Sequence, residues 1–352
     1  MKIAGRRTIS RALAAIACLA LATQLPGVTI NWDGGAGTGN WTDANNWSNN
    51  SAWNSNNTAN FDTDLAGGQY SINLGSAQAA RNITFSSGTA NQGFTFSGST
   101  LTINNSAGIV NNDNDTQTFN NAITLGTGQT WSAASGNLVF NGNVTNGSNL
   151  LTLSAASGKS GTIAGVIGSG TGGITKTGVG TWTLSGANTY TGVTTINAGV
   201  LSVSTLANGG VASGIGKSTN AANRLVLGGG TLQYTGGTVS TNRAFTLTSS
   251  TNSSIDVSNS GTNLTISGSS AATTGGLIKI GAGTLTLSGT NQYTGVTTIN
   301  AGTLSVATIG NGGVAGNLGQ ATNAANRIVL GGGTLQYTGS TASTNRAFTL
   351  TN

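Results

Sequence analysis

The sequence predicts an all-β chain wound as a parallel β-solenoid, a β-helix of short strands with Gly/Asn turns. Three observations carry this. Gly, Thr, Ser and Asn dominate, with 57 Gly and only 6% charged residues among 352, a mixture that favours strands and turns over helices. Apolar residues alternate with polar ones in runs of about four, bounded by Gly or Asn. The chain also repeats itself: 172–249 align with 275–352 without a gap, at an offset of 103 and with 58 identities in 78 positions. Such periodicity marks an array of stacked units. Hydrophobic residues make up 36% of the chain, more than a disordered Gly/Ser-rich chain carries.

The chain opens with a targeting segment, residues 1–22. Lys2, Arg6, Arg7 and Arg11 precede an apolar run from Ala12 to Ala22, and Ala20-Leu21-Ala22 fits a small-x-small cleavage site with Ala20 and Ala22 as its small residues. Eleven apolar residues are too few to cross a hydrocarbon core, which takes about 20. No later stretch is long and apolar enough to be a transmembrane span. Arg6-Arg7 hints at twin-arginine export, but Thr8-Ile9-Ser10 fits that signal poorly. Cleavage after Ala22 leaves no Cys or Met in a chain that also lacks His and Glu. Disulfides then contribute nothing.

Residues 23–60 form a Trp-rich region. Trp32, Trp41, Trp47 and Trp53 lie among Asn, Gly, Ser and Asp. One reading is a cap over the open end of the solenoid, since unpaired strand edges need cover. The other is a glycan contact, with rings stacking on sugars. Residues 61–171 read as diverged coils, with strands at Arg81–Phe85, Gly93–Phe96, Leu101–Ile103, Asn137–Phe140 and Leu150–Leu153. The first long repeat, 172–274, contains strands at 181–184, 194–197, 200–203, 224–227, 231–234, 244–247, 254–257 and 263–266, with 277–280 opening the second. With two or three strands per coil, nine strands make three to five coils. The second repeat, 275–352, stops at Thr351-Asn352 inside the pattern, and the expectation is a fragment of a longer chain.

Catalysis has little material here. Without His, Glu or a Cys beyond the leader, the usual general bases, thiol nucleophiles and most zinc sites are missing. All seven acids are Asp. Asp113 and Asp115 form a D-x-D pair that reads as a solvated turn, with calcium as the weaker alternative. The sequence therefore predicts no enzyme, no cofactor and no catalytic residues. Asn223-Arg224 and Asn242-Arg243 lie 19 residues apart and recur at Asn326-Arg327 and Asn345-Arg346. Their arginines are expected to lie over the coil in solvent, splayed by mutual repulsion. The net charge of +6 suggests nucleic acid at first sight. Four of the thirteen cations fall in the leader, leaving nine against seven Asp, so no nucleic-acid partner is expected.

The run Gly283, Leu287, Gly289, Tyr293, Gly295, Ile299, Gly302 and Leu304, in the frame G-T-L-T-L-S-G-x-N-x-Y-T-G-x-T-T-I-x-A-G-T-L, closely resembles the autotransporter-associated β-strand repeat, also called the passenger-associated transport repeat. Gly180, Leu184, Gly186, Tyr190, Gly192, Ile196, Gly199 and Leu201 match it nearly as well. The resemblance implies a right-handed parallel β-helix, exported to the cell surface, the outer membrane or beyond. It implies a passenger or stalk that aids folding and presentation. The partners it implies are the outer-membrane assembly route and, on the adhesin alternative, cell-surface glycans. A polysaccharide lyase is the least favoured reading.

Overall fold

The computed structural model describes residues 27–62, 68–88, 92–168 and 170–351. Ala20 and Ala22 of the expected cleavage site lie outside the described residues. The strands are two to six residues long and all their ladders are parallel. Three 3-10 turns, at Ala44–Asn46, Ala222–Arg224 and Ala325–Arg327, are the helical elements among the described residues. The chain winds as a solenoid of three faces. Among the described residues the first face stacks ten strands, from Thr29–Trp32 to Thr246–Leu247, and the second thirteen, from Ser71–Asn73 to Thr349–Leu350. The third carries a four-strand ladder of Gln78–Ala80, Leu101–Ile103, Ile123–Leu125 and Val144–Thr145, then a five-strand ladder from Val239–Thr241 to Thr334–Tyr337.

Alternation at period two explains the cross-section. In Leu151–Ala155 the pattern is buried, half-buried, buried, half-buried, buried, so Leu151, Leu153 and Ala155 point inward while Thr152 and Ser154 point out. The register keeps like on like: Thr130 pairs with Thr152 and Thr152 with Thr175. Stacking then aligns identical side chains one coil apart. Phe96, Phe119 and Phe140 form a column inside the second face, with ring centroids 4.5 and 4.9 Å apart and planes within 10°. These spacings match the distance between hydrogen-bonded strands, about 4.8 Å.

Strand positions agree with the alternation to within about two residues. Thr181–Leu184, Val200–Val203, Thr231–Tyr234 and Asn263–Ile266 match outright. Val239–Thr241 was not expected, because a single Val between polar residues gives no alternation to read. Each full coil uses three faces, and the stretches without strand at some corners made two per coil look sufficient.

Candidate functional site

The tryptophans of the first coil pack together. Trp32, Trp41 and Trp47 are fully buried, and Trp53 is half-buried against them. Trp47 stands edge-on to Trp32 and Trp41 at 5.2 and 4.9 Å and lies 4.2 Å from Trp53. Phe61 joins the cluster and passes the contact to Phe85 and Phe96 in the coils above. The indole N–H groups are turned to backbone: Trp47 Nε1 donates to Trp41 O at 2.8 Å, Trp53 Nε1 to Ala79 O at 2.7 Å and Trp32 Nε1 to Gln69 O at 3.2 Å. Trp41 Nε1 is buried without a partner. Asn46, on the Ala44–Asn46 turn, is buried beside them and bridges Thr38 Oγ1, Asn40 O and the Ala36 amide. Sugars stack on exposed ring faces, and three of these four rings expose none.

Asp113 and Asp115 sit on the turn after Ile109–Asn111. The expectation of a solvated turn fails for Asp113, which is buried. Its Oδ2 accepts from Gln117 Nε2 at 2.9 Å and from the Asp115 amide at 3.3 Å, while Oδ1 has no hydrogen-bond partner. Burial pushes its carboxyl above the usual carboxylate range, against the pull of the Asp115 and Asn114 amides. Among the described residues no three of His, Cys, Asp or Glu cluster as metal ligands would. An open groove of about 300 Å³ lies over Ser106, Gly128, Gln129, Thr130, Leu150 and Thr152, with no charged group in its lining.

The repeat-motif residues are structural in their placement. Leu184, Ile196, Leu201, Leu287, Ile299 and Leu304 point into the core. Tyr190 and Tyr293 are fully buried, each hydroxyl sharing a hydrogen bond with Thr194 or Thr297 at 2.7 and 2.8 Å. Burial pushes the Tyr293 hydroxyl up to about 12, and Tyr190 in the same direction. The motif glycines Gly180, Gly186, Gly192, Gly283, Gly289 and Gly295 sit where the coil below comes close. A Cβ on Gly186 would lie 2.5 Å from Gly165 O, and one on Gly295 2.3 Å from Gly275 O. Gly199 and Gly302 meet the coil below in the same way and also adopt φ of +60° and +61° at the entry to the next strand, a conformation that favours glycine.

Two kinds of buried cation escaped sequence reasoning. Lys176 and Lys279 point into the solenoid and are fully buried. The Lys176 ammonium donates to Thr177 O, Gly178 O and Ala198 O at 2.6, 2.7 and 3.1 Å. Lys279 repeats this on Ile280 O, Gly281 O and Ala301 O. Desolvation lowers both ammonium groups to about 8. Arg243 and Arg346 do not lie in solvent, as the repulsion argument expected. Arg243 donates from Nε to Ala207 O at 3.0 Å, from one terminal nitrogen to Ser218 Oγ at 2.7 Å and from the other to Gly216 O at 2.7 Å and Val211 O at 3.2 Å. Arg346 holds Gly310, Ala321, Val314 and Gly319 carbonyls in the same way. Each arginine therefore pins a long corner loop, 204–221 or 307–324. The signal in the sequence was the Asn-Arg pair itself: Asn242 and Asn345 bracket the same loops, accepting from the Gly209 and Gly312 amides.

Comparison with known proteins adds a family resemblance to this geometry. The passenger-associated-transport-repeat model matches residues 174–203 and 277–306. A curated relative, the adhesin BmaC autotransporter of Brucella suis biovar 1 (strain 1330), is 42% identical over 255 residues, 67% of this chain. The match spans 7% of that relative's length. No solved structure matches.

Proposed function

From a chain that carries the passenger-associated transport repeat twice, in a parallel β-solenoid, we propose an exported structural role: a passenger or stalk segment at the cell surface. It aids folding and presentation and does no chemistry of its own. The observation that carries this is the continuous parallel ladder. Each finished coil offers an unpaired, in-register edge to the next, so the chain folds by addition to an existing template. The matched repeats lie within that ladder, with their named residues in the core or at coil contacts. The sequence supports the absence of chemistry through its lack of His and Glu.

On this reading residues 1–22 direct export and the Trp-rich region 23–60 caps the solenoid end. Residues 61–171 are diverged coils, and 172–274 and 275–352 the long repeats. Burial of Trp32, Trp41 and Trp47 supports the cap over a glycan contact. The relative's description as an adhesin keeps an adhesive role as a second reading, carried by surfaces other than those rings. The test is a truncation after residue 249. The upstream coils stay folded by circular dichroism if stability is a sum over neighbouring coils. Global unfolding refutes the templating mechanism.

A further inference from the structure

The two long repeats are nearly alike, with 58 identities in 78 aligned positions. Residues 190–199 and 293–302 are identical, and the strands Thr194–Ile196 and Thr297–Ile299 lie within them. Backbone ladders pair in the same way at either place, so they do not tell one repeat from the other. The second repeat could therefore seat directly on the coil that receives the first, with residues 173–275 extruded. The entropy of closing a loop grows only with the logarithm of its length, so it does little to prevent that error. Misassembly of this kind is a characteristic failure of repeat proteins.

The contact between each repeat and the coil beneath it does differ. Gly161 lies under Trp182, and Leu264 under Leu285, in matching register. With no side chain on Gly161, the buried Trp182 ring reaches down through the coil. It lies 6.1 Å from the Phe140 ring with the planes 19° apart, and Nε1 donates to Ser154 O at 2.9 Å. A Cβ on Gly161 would come within 2.4 Å of the indole. Trp182 over Leu264 would therefore overpack. Leu285 over Gly161 would leave a void and lose the bond to Ser154 O. The strand that opens each repeat differs too. Ile174, Thr175 and Thr177 become Leu277, Ile278 and Ile280 around the shared lysine, and Thr177 lies over Ser154 where Ile280 lies over Asp256.

We infer that Gly161 with Trp182, and Leu264 with Leu285, are matched address pairs that decide which of the two repeats seats on which coil. A coil with glycine at the inward position accepts the strand that brings the large ring. A coil with leucine there accepts the strand that brings leucine. The partner selected is a later coil of the same chain, recognised by the volume it places over one inward position. This rests on the reading that coils add to a finished edge, and it gives that edge a choice between two nearly identical candidates.

The experiment refolds the full chain from denaturant, then applies limited trypsin digestion with mass spectrometry of the fragments. Lys176 and Arg243 are buried in the native chain, and both lie in the segment that a skipped repeat extrudes. Gly161→Leu with Trp182→Leu gives both coils the leucine address and keeps the volumes matched. Leu264→Gly with Leu285→Trp gives both the glycine address by the opposite exchange. Each double variant should refold with cuts after Lys176 and Arg243 about tenfold above the parent, the seating ratio that even a small buried void represents. A role in packing alone does not move this readout, because volume is conserved in both exchanges. Circular dichroism confirms that the variant scored has folded, and the two exchanges stand in for each other. A folded double variant without those cuts overturns the addresses, and so does a refolded parent cut equally. Failure of coil-by-coil addition shows differently, as global unfolding of the chain truncated after residue 249.

Discussion

Replacing Arg243 with Ala should free loop 204–221 without unfolding the solenoid. The guanidinium makes four hydrogen bonds, to the carbonyls of Ala207, Val211 and Gly216 and to Ser218 Oγ, at 2.7–3.2 Å. Bonds with one charged partner contribute about 1.5–3 kcal/mol each, and they are not additive. The loop lies at the surface, so carbonyls released by opening reach water, and a net of about 3 kcal/mol is the reasonable figure. That raises the open population roughly 100-fold. Lys217 lies in this loop and its side chain is exposed, so trypsin reports the opening. Where opening is fast relative to cleavage, the cut after Lys217 should speed up by about the same factor. Arg243→Lys should fall between, because an ammonium cannot fork across three carbonyls and a hydroxyl. The second copy is an internal control, with Gln320 in place of Lys217 and Arg346 untouched. Far-UV circular dichroism should match the parent, since the loop contributes no strand. Cleavage after Lys217 at the parental rate, or loss of the β signal, would refute the reasoning.

Two further predictions follow from buried groups. The folded chain releases the Lys176 and Lys279 protons near pH 8 and the unfolded chain near 10.5. Stability is therefore flat below pH 8 from these groups and rises as pH climbs above it. Tyr190 and Tyr293 ionise later in the fold than in the unfolded chain, so stability falls again above about pH 10. Thermal melts should show a maximum near pH 10, and Lys176→Met with Lys279→Met should remove the rising limb; a rise that persists refutes the assignment. Gly161 lies under Trp182, where a Cβ would come within 2.4 Å of the ring, while 103 residues later Leu264 lies under Leu285. Gly161→Leu alone should cost about 1–3 kcal/mol by overpacking. Adding Trp182→Leu should recover most of it in denaturant melts, and an additive double mutant refutes the packing account.

Much of this fold was legible because its determinants are local. Alternation in Thr-Trp-Thr-Leu or Thr-Leu-Gln-Tyr names the inward side chains directly, and the offset of 103 reveals the array. What was hidden depends on long-range closure. Lys176 occupies an inward position in Ile174–Thr177, where alternation predicts an apolar residue. Only the convergence of carbonyls from two corners, one of them at Ala198, makes that position suit an ammonium. Arg243 was misplaced because the repulsion argument treated the coil surface as its only setting. The loop that receives it lies more than 20 residues earlier, and no local pattern points there. Asp113 looked like any polar turn residue, and its burial has no mark in the local pattern.

The scarcity of charge in this chain follows from the same geometry. A solenoid repeats its side chains at about 4.8 Å, and two like charges at that spacing repel by about 3 kcal/mol at an effective dielectric of 20. Every coil of a charged ladder would carry that cost. By the strand pairings Lys176, inside the first face, and Lys279, inside the second, lie four and one third coils apart. Along the axis they stand about 21 Å apart, beyond the screening length of about 8 Å in physiological salt. Each cation is then free to serve its own corner, holding carbonyls that no strand pairs. Asp256 is the one acid in the long repeats; it follows Ile255, the register partner of Lys279, and its charge favours the ammonium. The chain thus spends few charges because the backbone ladder supplies most of its polar pairing. The cations it keeps beyond the leader include four that are buried, Lys176, Lys279, Arg243 and Arg346, all turned to backbone oxygen.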